Sequence, residues 1–222
     1  MKDPRMNPSR RHWLKAAGLV RALGKNTITL AYAVILADMA LAPFTPSNTA
    51  RAAGTMFPIV SQIPPLYQSE PNSPTAGRIG SYILWVTYSA DCVMSALFMT
   101  ACAPNFMARD FIGKIAGVEL TYPQWFFAAA PFAIPLLIAI PLLTFLIQRP
   151  SVMQSPEVPL WADAELAKMG SLSRNEIILA ASVCVAIFAW IFGGSVVNPA
   201  IVALAVICVL MLTGVLQWKD IA

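Results

Sequence analysis

Apolar residues run from Thr27 to Ala42 and return from Ala50 to Ile63, and the stretch between and around them, Pro43 to Pro58 (PFTPSNTARAAGTMFP), has a polar centre. As helices the two arms measure about 24 and 21 Å, short of a hydrocarbon core of about 30 Å. This pattern predicts a re-entrant helical hairpin whose tip lies at mid-membrane depth. Irregular backbone at that depth must be buried in protein or line a cavity. After a Pro- and Ser-rich connection, Pro64 to Gly77, the segment Ile79 to Cys102 is long enough to span, at about 36 Å if wholly helical. Thr87, Ser89, Asp91, Ser95 and Thr100 interrupt it, which predicts a broken span facing the tip. Pro104 and Asn105 end that span, and a short polar helix carries Arg109, Asp110 and Lys114 to Gly117.

Leu120 to Ile147 reads as one long apolar segment whose four prolines, Pro123, Pro131, Pro135 and Pro141, predict kinks. Gln148 to Glu176 is hydrophilic, with Trp161 expected at the interface. Ile177 to Phe192 and Val196 to Leu216 close the chain as two further spans joined by a GGS turn. The organisation is therefore a basic segment (1–26), a hairpin with its following helices (27–147), a hydrophilic loop (148–176) and a closing pair (177–222). The fold class is an all-α polytopic membrane protein, a re-entrant hairpin plus about four transmembrane helices.

Composition agrees: 58% of the 222 residues are hydrophobic and 12% charged, with mean hydropathy +0.66, against about 25% charged in soluble domains. Seven Lys or Arg precede residue 27 against one acid, Asp3, and no cleavable signal pattern follows. With the N-terminus inside, the cytoplasmic segments hold twelve of the fifteen basic residues, the external side only Arg109 and Lys114, and the membrane Arg51. This bias predicts a cytoplasmic N-terminus in a bacterial inner membrane and reads the basic segment as a lipid-facing anchor rather than a nucleic-acid site. His12 stands alone, the four cysteines lack metal-ligand spacing, and no G-x-S-x-G, H-E-x-x-H or phosphate loop is present. An enzyme is not expected.

The tip carries the chemistry. Pro43 and Pro46 stop the first arm, and Ser47, Asn48 and Thr49 are strong N-cap types that open a second helix, an anion-attracting end. The freed carbonyls of Thr45 and Pro46 offer the opposite polarity, suited to a small cation such as sodium. Three ionisable residues fall at membrane depth: Asp38, Arg51 and Asp91. Arg51 is expected either to pair with Asp38 across the hairpin or to attract an anionic substrate. Asp91 serves either as a cation or proton site or as a neutral acid held by its neighbours.

Residues 36–60, with PSNTARAAGTMFPI, IPPLY, PNSPTAGRIGSYILW and SALFMTACAPN in order, resemble the divalent anion/sodium symporter family. The likeness is to its citrate/succinate antiporter and plastid 2-oxoglutarate/malate translocator branch, and runs from about Leu14 to Ala222. The resemblance implies a secondary transporter of di- or tricarboxylates, by anion exchange or sodium symport, moving by alternating access. It implies substrate contacts at Ser47, Asn48 and Thr49, with Arg51 as a further candidate. It implies that the Ser47, Asn48 and Thr49 stretch also helps to hold a cation whose site a helix break around Met94 and Ser95 completes, with Thr100 and Asn105 nearby; by the reading of the residues themselves, the Thr45 and Pro46 carbonyls would join it, with Asp38 and Asp91 as possible supports. The family builds two inverted repeats, each with a Ser-Asn-Thr hairpin, and this chain contains one. It is thus expected to form part of a transporter, completed by a homodimer partner or a complementing half; the alternative is a truncated, non-transporting fragment.

Overall fold

The computed structural model describes residues 23–169, 173–192 and 199–217. The GGS turn and most of the basic N-terminal segment lie outside them. Asn26 starts the first helix, α1 (Thr27–Leu41), by accepting from the Thr29 N–H at 2.8 Å. A tight turn, Ala42–Phe44, ends it at the first proline pair. The chain then runs extended through Thr45 to Ser47 and becomes helical again, as α2 (Asn48–Arg51), a wider π turn (Ala52–Met56) and α3 (Phe57–Val60). Pro58 lacks the N–H that the Gly54 carbonyl would receive four residues on, and the Phe57 N–H reaches back to Ala52 instead. The predicted helix, break and returning helix are present, and a short α4 (Ile63–Leu66) closes the return.

The next span is α5 (Gly80–Leu97) and α6 (Ala103–Ala116), separated by an irregular piece from Phe98 to Cys102 that includes the turn Met99–Ala101. The span is broken as expected, but the break begins at Phe98. Met94 and Ser95 sit inside α5, where no proline or glycine interrupts the helix. Gly117 ends α6 with φ of +66°, a left-handed conformation that costs glycine little.

α7 (Tyr122–Ile147) is about 39 Å long and opens on a capping box of Thr121 and Gln124. Pro123 lies in its first turn, where a missing N–H costs nothing, so it starts the helix and does not kink it. Pro131, Pro135 and Pro141 lie inside. Hydroxyls from neighbouring helices dock beside the last of these: Tyr32 donates to the Ile138 carbonyl at 2.8 Å and Tyr82 to that of Pro141 at 3.1 Å. The hydrophilic loop also carries a helix, α8 (Glu157–Met169), whose Val158 and Ala162 are buried and whose Trp161 packs on the core. Its entry stretch ties the start of α1 to the chain just before α5. Val152 and Met153 accept from Thr27, and the Ser151 and Val152 N–H groups reach the Gly77 and Arg78 carbonyls. The closing pair is α9 (Arg174–Phe192) and α10 (Pro199–Leu212), packed on each other.

The described residues hold no strand. α1, the hairpin return and α5 bury one apolar cluster including Leu30, Val34, Leu41, Met56, Ile59, Ile83, Val86, Met94 and Leu97, to which α7 adds Ala133 and Leu137. Among the described residues Thr27–Phe44 and Tyr122–Ile147 are the helices long and apolar enough to cross a membrane by composition alone. In α5 the polar groups dilute the apolar run; in α10 length is short. α7, with few buried residues, exposes Phe127, Phe132, Leu136, Ile138 and Leu146, an outward apolar surface that water would penalise and lipid accepts.

Candidate functional site

The two helix breaks lie against each other, and each supplies what the other lacks. Pro46 has no N–H, so the Pro43 carbonyl three residues earlier loses its local donor; the Thr100 hydroxyl donates to it at 2.8 Å. The Pro46 carbonyl accepts from the Ala103 N–H, which opens α6, at 3.1 Å. Thr100 in turn shares a 2.5 Å hydrogen bond with the Tyr122 hydroxyl at the start of α7. The last carbonyls of α5 are capped by side chains. Asn105 donates to Ser95 at 2.8 Å and to Phe98 at 3.1 Å, and the Trp125 indole to Ala96 at 3.0 Å. Buried irregular backbone is satisfied here with little left over.

Arg51 crosses the interface between the breaks. It is fully buried, and its nitrogens serve three different segments. Nε meets Asp38 of α1 at 2.7 Å, Nη2 meets Asp91 of α5 at 2.8 Å, and Nη1 donates to the Ala101 carbonyl of the second break at 3.3 Å. The Asp38 and Asp91 side chains are 3% and 5% exposed. The Asp91 contact is an ion pair rather than an aligned hydrogen bond, since that Oδ1 has no hydrogen-bond partner; neither has the second oxygen of Asp38. Of the two readings of Arg51, the pairing with Asp38 is the one the geometry contains. Asp91 joins the same cluster, which the sequence reading had treated separately. One arginine and two aspartates at the same depth were the available signal.

The Ser-Asn-Thr positions behave differently. Ser47 caps the returning helix by accepting from the Ala50 N–H at 3.3 Å, and the Thr49 hydroxyl donates to the Asn48 side-chain Oδ1 at 3.3 Å. Ser47, Thr49 and Ala50 are exposed and Asn48 half-exposed. The Ser47 hydroxyl hydrogen and the Asn48 amide hydrogens have no partner among the described residues. Beside them Ala53 and Gly54 are exposed too, and a methyl group placed on Gly54 would meet nothing within 4 Å. The tip therefore offers hydroxyl, amide and helix-start N–H donors from a face of small residues, a surface suited to carboxylate oxygens.

The expected cation ligands are only partly gathered. Thr45 turns its hydroxyl toward the Leu41 carbonyl at 3.4 Å, and one lone pair of the Pro46 carbonyl is taken by Ala103. Met94 is fully buried in the core, and the Ser95 hydroxyl donates to Cys92 at 2.6 Å, so neither is presented at a break. Thr100 and Asn105 act on break carbonyls. Sequence reasoning missed Tyr122 and Trp125, whose partners lie in the second break and on α5 and leave no local pattern.

A family description, "Sodium:sulfate symporter transmembrane region", matches residues 15–222. The citrate/succinate antiporter of Escherichia coli (strain K12) is 42% identical over 203 residues, which are 91% of this chain and 42% of that protein. The L-tartrate/succinate antiporters of Shigella sonnei and Escherichia coli (strain K12) are 39% identical over the same shares. The chain thus spans less than half the length of these relatives.

Proposed function

The chain belongs to the sodium:sulfate symporter transmembrane family, and on that premise we propose that it presents the carboxylate-binding tip of a di- or tricarboxylate exchanger. The observation that carries this reading is the separation of charge from the tip. Arg51, Asp38 and Asp91 are spent on one another in the interior, whereas Ser47, Asn48 and Thr49 keep neutral donors on an open surface. Neutral donors at a helix start hold a carboxylate and still release it, as a carrier must; a desolvated arginine would bind it far more tightly. The relatives' names bring citrate, L-tartrate and succinate forward as the first substrates to test.

Exchange is put before sodium symport because the similar proteins are named as antiporters, and because the break carbonyls of Pro43, Pro46 and Ala101 each already accept one hydrogen bond, from Thr100, Ala103 and Arg51. The tip faces donors supplied by a complementary transporter half, in a bacterial inner membrane with the basic N-terminus on the cytoplasmic side.

Counterflow in proteoliposomes that hold this chain together with the complementary transporter half tests the reading. Labelled succinate is expected to leave loaded vesicles only when citrate, tartrate or succinate is present outside, at a rate unchanged when choline replaces sodium. Efflux without a counter-anion, or none at all, overturns exchange; a strict sodium requirement overturns the preference over symport.

A further inference from the structure

We propose that Thr100, held in place by Tyr122, is a positioning residue that sets the register of the Ser47-Asn48-Thr49 tip against the second break. The inference rests on the reading of that tip as the carboxylate site. Pro43 and Pro46 stand three residues apart on one break, Thr100 and Ala103 three residues apart on the other, and they meet as two hydrogen bonds at 2.8 and 3.1 Å. Two such points fix both the distance and the sliding position of one extended segment along another. The Ala103 contact is made by the backbone and any residue but proline preserves it. The Pro43 contact depends on a hydroxyl at position 100.

Pro43 leaves few alternatives. In a tight turn its carbonyl would receive the N–H of residue 46, but that residue is proline. The N–H of Ser47 is drawn away because the chain is extended at Thr45 and at Ser47, with φ of −124° and −137°. Thr100 is 5% exposed, so water does not readily replace it. Its one hydroxyl hydrogen goes to Pro43, so in the 2.5 Å contact Tyr122 is the donor and Thr100 the acceptor. The chain of donation runs from Tyr122 through Thr100 to Pro43, and it anchors the turn before the tip to the first residue of α7.

The test uses Thr100→Val, which keeps shape and removes the hydroxyl, Thr100→Ser, which restores it, and Tyr122→Phe. Two readouts are taken. In succinate counterflow, Thr100→Val is expected to raise KM about tenfold, the loss that goes with one unsatisfied buried carbonyl, with kcat within about twofold of the parent. In a background lacking Cys92, Cys102, Cys184 and Cys208, Thr49→Cys is labelled with a membrane-impermeant thiol reagent. Thr100→Val is expected to change that labelling rate, Thr100→Ser to return it, and Tyr122→Phe to shift it less in the same direction. Unchanged KM and labelling in Thr100→Val overturn the proposal. So does a loss of protein that Thr100→Ser fails to rescue, which marks ordinary packing. If the parent exchanges no carboxylate, the functional reading falls, and the labelling series still decides the positioning role.

Discussion

Both helix breaks interrupt an apolar segment and pack against each other, yet they have opposite surfaces. Around the first, Ser47, Thr49, Ala50, Ala53 and Gly54 are exposed, and donors stand without partners. At the second, Met99, Thr100 and Ala101 are buried, and nearby carbonyls accept from Asn105, Trp125 or Arg51. The difference teaches that a broken helix in a membrane is not by itself a binding site. Freed backbone groups must be satisfied somewhere, and the second break accepts that role so that the first can keep its side chains open.

The largest effect is expected at Arg51, the residue shared by both breaks. Arg51→Ala leaves two buried aspartates without their cation and is expected to cost about 3 to 5 kcal/mol, read as lost expression or a lowered Tm in detergent. Replacing the whole cluster, Arg51→Gln with Asp38→Asn and Asp91→Asn, is expected to recover much of that loss. A triple variant as unstable as Arg51→Ala would show that the residue acts through something other than the ion pairs.

A smaller effect separates the two sides. Asn48→Ala at the open break is expected to leave stability within about 0.5 kcal/mol of the parent while weakening carboxylate affinity by roughly 10- to 150-fold, the range for a hydrogen bond to a charged group. Asn105→Ala at the closed break is expected to do the reverse, lowering stability by about 1 to 3 kcal/mol through two uncapped carbonyls. The measurements are thermal unfolding and substrate competition on the same preparations; equal behaviour of the two variants would erase the distinction drawn between the breaks.

The smallest effect is expected at Gly54. The space beside it is open and the residue is helical, so Gly54→Ala is predicted to be neutral or to stabilise by up to about 1 kcal/mol. A clear loss of stability would mean that the face is covered within the folded protein rather than left for a ligand or a facing half.

What was legible in the chain follows from local rules. Prolines at 43 and 46 stop a helix whatever surrounds them, and Ser47 is a strong cap, so the first helix, its break and the returning helix were legible in the sequence; the length of the first arm was not, because Thr27–Phe44 is long enough to cross a membrane. The same local rules misplaced what depends on neighbours. Polar residues from 87 to 100 predicted a broken span and the family resemblance put the break around Met94 and Ser95, but both residues are accommodated within α5, and the backbone opens only at Phe98, where Asn105, Thr100, Arg51 and Trp125 are placed beside it. The helix within the hydrophilic loop likewise packs its apolar residues on a core that only the assembled helices create. Arg51 shows the division most clearly: its place between two apolar arms was readable from the sequence, and so was the rule that a buried charge needs partners. Which partners it takes was decided in three dimensions, because residues 38, 51, 91 and 101 are brought together only when two separate breaks dock.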